Sequence, residues 1–133
     1  MGLLSSVLRP RLEATAHCDL PCGVYDPAQA RIEAESVKAI QEKYQGNDDP
    51  EFRERALQIK EQRADLVKHH LWVLWTDYFK PNHLEKYPDL HDKFWQATKL
   101  AGESKKSLDP KQGQQLLDAV AEIDKIFWET KKG

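Results

Sequence analysis

DPKQGQQLLDAVAEIDKIFWET, residues 109–130, reads as one helix from end to end. Asp109 offers a side-chain oxygen to the unpaired N–H groups of a first turn, and Pro110, which has a fixed φ and no N–H to lose, suits the first helical position. Leu116, Val120, Ile123 and Phe127 follow at spacings of four and three, so an apolar stripe runs down one face. The same Asp-Pro pair opens two earlier periodic segments, at Asp26-Pro27 and Asp49-Pro50. These predict a helix from Pro27 to about Gln45, stopped by Gly46, and a second from Pro50 to about Phe79, ended by Pro81. The second, with roughly 30 residues, would span about 45 Å. A further helix is expected from near Pro88 to about Glu103, with Leu90, Phe94, Ala97 and Ala101 on one face. The first helix shows Ala30, Val37, Ile40 and Tyr44 as its stripe, and the second Phe52, Ala56, Ile59 and Leu66. No strand alternation competes with this periodicity, and four helices with short connections predict an all-α four-helix bundle.

A chain of 133 residues, 40% hydrophobic, fills one core. Charged residues make up 32% of it and the formal net charge is −2, so there is no basic field for nucleic acid and no acidic tail. The apolar runs fall far short of the roughly 20 residues needed to cross a bilayer, and neither nucleic acid nor membrane is expected as a partner. Trp72, Trp75, Trp95 and Trp128 bring large apolar area to a small bundle. They read either as a subunit interface or as ordinary core and boundary residues.

Upstream of the first helix lies HCDLPCGVY, residues 17–25, which holds both cysteines of the chain. Two thiols and an imidazole within six residues suit copper, nickel, zinc or iron far better than magnesium or calcium. Pro21 and Gly23 allow the chain to curl until Cys18 and Cys22 face one centre. Three other readings compete. The thiols could be incidental small hydrophobes. They could form a disulfide, which the missing secretory signal disfavours. They could belong to a zinc knuckle, although His69, His70, His83 and His91 lack the usual paired spacing.

Two charges interrupt the apolar stripes. Glu33 stands between Ala30 and Val37, and Arg63 between Ile59 and Leu66. Burying either ion alone is costly, whereas a hydrogen-bonded pair offsets much of the penalty, so they read as partners. The alternative is two charges snorkelling at a solvated edge. A carboxylate here could also hold the second ring N–H of a metal-bound imidazole.

The run HCDLPCGVYDPAQARIEAESVKAIQEKY resembles the amino-terminal end of the nickel-containing superoxide dismutases, whose mature chain begins at the histidine of H-C-x-x-P-C-G-x-Y. The likeness continues through GNDDP, IKEQR, VLWTDYFKP and EIDKIFWETKK, covering the chain from His17 onward. It implies a nickel-dependent enzyme that converts superoxide to oxygen and hydrogen peroxide by Ni(II)/Ni(III) cycling, with one nickel ion per subunit of a homohexamer. His17, Cys18 and Cys22 would be the metal ligands. A His17 amine freed by cleavage, the Cys18 amide nitrogen and the Cys18 thiolate would form two adjacent five-membered chelate rings, and Cys22 would complete the plane. Anionic thiolate and amide donors bring oxidised nickel within reach and favour square-planar nickel(II). The imidazole of His17 is implied as axial ligand, supported by Glu33 and Arg63. Tyr25 is expected over the open face, with Asp19 in the same loop. Tyr78 and Lys80, from the Y-F-K-P segment, are implied near the mouth, although helix-end packing and pairing with the helix dipole account for them equally well.

Residues 1–16 precede the mature pattern and end in Ala14-Thr15-Ala16, which imitates a signal-peptidase site. Yet Arg9, Arg11 and Glu13 follow the apolar Leu3, Leu4, Val7 and Leu8 instead of preceding them, against a secretory leader. An organellar transit peptide fits Ser5, Ser6 and the arginines but not Glu13. The resemblance implies a propeptide removed by a protease in the cytoplasm. The expected organisation is a leader over 1–16, a hook over 17–25 and a bundle over 26–133. A nickel or copper carrier without turnover, or a metal-free helical interaction module, are the alternatives to an enzyme.

Overall fold

The computed structural model describes residues 22–132, and three of its helices begin at the Asp-Pro pairs. Asp26 Oδ1 accepts the N–H of Ala28 (2.8 Å) at the start of α1, Ala28–Gln45. Asp49 Oδ2 accepts the N–H of Phe52 (3.3 Å) and opens α2, Pro50–Val73. Asp109 Oδ1 accepts the N–H of Lys111 (2.9 Å) and opens the last helix, Pro110–Lys132. Between them lie a short α3, Pro81–Lys86, and α4, Leu90–Ser104, so the last helix is α5. No strand occurs among the described residues.

Sequence periodicity gave one unbroken α-helix from Pro50 to Phe79. Instead, the chain widens after Val73 into a single π-helical turn, Leu74–Tyr78, in which Phe79 N–H reaches Leu74 O (3.0 Å). Thr76 Oγ1 donates to Trp72 O (2.8 Å) and competes with the backbone for that carbonyl, a local cause of the widening. Helix α3 was also unforeseen. It starts at Pro81, and Lys80 N–H donates to His83 Nδ1 (3.0 Å) across its first turn.

The four long helices run alternately up and down, and each packs against two neighbours: α1 on α2 and α5, α4 on α2 and α5. The stripes of α4 and α5 are those the sequence predicts, for Leu90, Phe94, Ala97, Ala101, Leu116, Val120, Ile123 and Phe127 are all buried. On α1 and α2 the buried line keeps Ala30, Val37 and Ala56 of the expected stripes but otherwise lies one position further along the chain. It runs through Ala30, Ala34, Val37 and Gln41, and through Ala56, Lys60, Ala64, Val67 and Leu71. Ile40, Tyr44, Phe52, Ile59 and Leu66 are half-buried on the shoulders.

The core therefore differs between its two ends. Near the amino end of α1 it is aromatic, with Phe79, Phe94 and Phe127 buried and Tyr25, Trp75 and Tyr78 packed against them. At the opposite end small residues let the helices approach, and polar side chains fill the gap. Gln41 Nε2 donates to Gln112 Oε1 (3.0 Å) and Ser107 O (3.2 Å), Ser104 Oγ to Gln112 Oε1 (2.9 Å), and Lys60 Nζ to Ser104 O. Lys60 is fully buried, and this burial pushes its ammonium below the ordinary lysine range.

A Cβ at Gly113 would lie 2.2 Å from Gln41 Oε1 and 2.9 Å from Lys38 Cα. Alanine normally stabilises a helix over glycine by about 1 kcal/mol. Here backbone stands in the way, so Gly113→Ala is expected to destabilise the fold by about 1–3 kcal/mol, measured by urea denaturation. A gain in stability would show that α1 and α5 can separate freely.

Candidate metal centre and its mouth

Gly23 has a φ of +69°, the left-handed region in which glycine alone is unstrained, and it turns the chain just before α1. The bend brings Val24 N–H to Cys22 Sγ (3.4 Å), and Cys22 is exposed. Its sulfur is thus open to solvent and accepts a backbone N–H. His17, Cys18 and Asp19 lie outside the described residues. Among the described residues no three of histidine, cysteine, aspartate and glutamate gather closely enough to hold a metal ion.

Two residues on, Tyr25 packs against Tyr78, with ring centroids 5.7 Å apart and planes at 54°. Tyr78 is the hub of the aromatic end. Its ring meets Phe127 at 4.3 Å, Phe79 at 5.0 Å and His83, nearly parallel, at 5.7 Å, and the Lys131 ammonium lies 5.1 Å from its centroid. The phenol oxygen is 2.7 Å from Thr130 Oγ1. Desolvation, and then the neighbouring Lys80 charge, push His83 below the usual histidine range, consistent with a neutral ring accepting the Lys80 N–H. The Lys80 ammonium donates to Asp77 O (3.3 Å) in the preceding turn. There its positive charge meets the carbonyl end of a helical segment.

Glu33 and Arg63 meet as the sequence predicts. Arg63 Nη1 lies 3.2 and 3.1 Å from the two carboxylate oxygens. Their place differs from expectation: Ala34 occupies the centre of the stripe, while Glu33 sits on its shoulder, with its side chain 15% exposed and that of Arg63 37%. Sequence reasoning missed His83, Thr130 and Lys131. The Pro81 helix start pointed to His83 at its third position, and Thr130 is one turn beyond Phe127 on the α5 stripe.

The chain matches the nickel-containing superoxide dismutase family over residues 12–131. It belongs to that family. The nickel superoxide dismutases of Streptomyces coelicolor and Streptomyces seoulensis are each 64% identical to it over 130 residues, covering 98% of this chain and 99% of theirs. A solved structure of native nickel superoxide dismutase superposes with a TM-score of 0.86 at 68% identity, covering 88% of this chain and 100% of that one. The enzyme is thus a nickel-dependent oxidoreductase acting on superoxide, and the carrier and metal-free readings give way. The exposed Cys22 sulfur at its bend, a soft donor, fits that metal.

The exposure of Arg63 lets water screen the pair, so Glu33→Ala is expected to cost about 1–2 kcal/mol, less than for a fully buried pair. Thermal unfolding of the variant measures it. A loss as large as about 4 kcal/mol would mean that water does not reach the pair.

Proposed function

We propose that residues 1–16 are a leader cut away by a protease in the cytoplasm, and that the hook over 17–25 then holds one nickel ion per subunit. The ligands are the His17 amine, the Cys18 amide nitrogen, the thiolates of Cys18 and Cys22, and the His17 imidazole. One observation carries the reading: the exposed Cys22 lies just before Gly23, whose φ is left-handed, and three residues before Tyr25, whose ring abuts Tyr78. Coverage supports the leader. The solved chain is matched along its whole length by 88% of this one, and the remainder equals residues 1–16 in length, whereas the curated relatives extend over 98%.

Nickel, when bound, supplies the one-electron exchange that superoxide disproportionation needs. The chain's own residues provide the rest. Tyr25 and Tyr78 narrow the approach to small diatomic anions and water, and Asp19 belongs to the same loop. Lys80, exposed at the rim, adds positive charge beside Tyr78. Glu33, held by Arg63, orients the His17 imidazole from the shoulder of α1. We further propose a homohexamer. Trp72 and Trp95, each 52% exposed, leave apolar area that a partner subunit would cover.

While Ala16 is attached, the nitrogen of His17 is a planar amide with a delocalised lone pair, a poor donor. Full-length protein loaded with nickel is therefore expected to show little dismutase activity, and protein beginning at His17 full activity, in a superoxide-decay assay. Equal rates would refute the amine ligand. Cys22→Ser is expected to abolish turnover while leaving helical circular dichroism intact, because the cysteine lies outside the buried stripes. Activity near wild type would remove Cys22 from the ligand set.

A further inference from the structure

The direction of one proton can be assigned at the mouth. Thr130 Oγ1 lies 2.5 Å from Phe127 O, and a carbonyl only accepts, so the single hydroxyl proton of Thr130 is committed to that bond. Thr130 therefore has only lone pairs to offer Tyr78. Across the 2.7 Å contact the phenol must be the donor. With its own proton held by α5, the Tyr78 oxygen faces other neighbours solely as an acceptor.

We propose that Thr130 is a positioning residue of the dismutase. It holds the Tyr78 phenol as a hydrogen-bond acceptor toward the mouth, so that Tyr78 orders water or the Tyr25 hydroxyl there and does not donate to the incoming anion. This rests on the placement of Tyr78 at the mouth proposed above. The neighbouring turn offers an internal control, since Tyr87 O–H donates to Glu129 Oε2 (2.7 Å) and fastens the same segment to α5 without touching Tyr78.

The test uses Thr130→Val, which keeps the shape and removes the oxygen, with Thr130→Ser and Tyr87→Phe beside it. Ultraviolet resonance Raman spectra of the full chain, each subtracted from that of the same protein carrying Tyr78→Phe, isolate the Tyr78 phenol. A strong-donor signature is expected in wild type, Thr130→Ser and Tyr87→Phe, and its loss in Thr130→Val. In the nickel-loaded enzyme Thr130→Val is expected to lower turnover about three- to tenfold, the effect of one misdirected hydrogen bond. Thr130→Ser should restore it, and Tyr87→Phe should match wild type. An unchanged Tyr78 spectrum in Thr130→Val overturns the assignment, whether or not Tyr78 belongs to the mouth. A changed spectrum with full turnover, where Tyr78→Phe itself is impaired, overturns the positioning role. If Tyr78→Phe is as active as wild type, the placement of Tyr78 at the mouth fails, and the positioning role fails with it.

Discussion

Helices α1 and α5 approach so closely at Lys38 and Gly113 that a methyl group on Gly113 would meet the Lys38 backbone. Such a contact fixes the two helices in register as well as in distance, because sliding by one residue would drive a side chain into the gap. The register matters at the other end. Helix α1 begins beside Tyr25, and α5 carries Phe127, Thr130 and Lys131 to the ring of Tyr78. Tight packing at the polar end thus sets the geometry of the aromatic end.

The polar end has its own logic. Helices brought together by alanine and glycine have little apolar side chain to bury, and the remaining space is taken by Gln41, Lys60, Ser104 and Gln112. Such groups are tolerated only when hydrogen-bonded, and most of their polar atoms are. Gln41 Oε1 is an exception, directed at the Gly113 Cα. Gln45 Nε2 to Leu108 O (2.8 Å) and Arg53 Nε to Asn47 O (2.7 Å) tie the two loops at this end to the helices.

This division of the core explains what could be read from the sequence. On α4 and α5 the buried positions are mostly large and apolar, so periodicity alone locates them. On α1 and α2 the central positions include Ala34, Gln41, Lys60 and Ala64 beside Val37, Val67 and Leu71, while the bulkier Ile40, Phe52 and Ile59 stand aside, and a reading guided by hydrophobic size settles one residue off at several of them. The Glu33–Arg63 pair survived that error because two unlike charges beside one seam find each other on either assignment. Of the hook, residues 22–25 are described, and there Gly23 takes the left-handed φ that its missing side chain permits. Thr130 was not legible in the sequence, since nothing in a threonine near a helix end announces that a tyrosine 52 residues earlier will reach it.

The widened turn at Leu74–Tyr78 has an evolutionary reading as well. Counted along the chain, a π-helical turn is an α-helix that has accepted one extra residue without lengthening its axis in proportion. Removing one residue from 74–78 would let the helix rewind as ordinary α, and because the single π-turn absorbs its extra residue, the chain beyond it would keep nearly the same direction around the axis. Tyr78 would then keep its place against Phe127, and what would be lost is the widened backbone with its bond from Phe79 N–H to Leu74 O. A one-residue gap is therefore absorbed here more easily than anywhere else in the helix, and homologous chains that differ in length within it should differ at this segment.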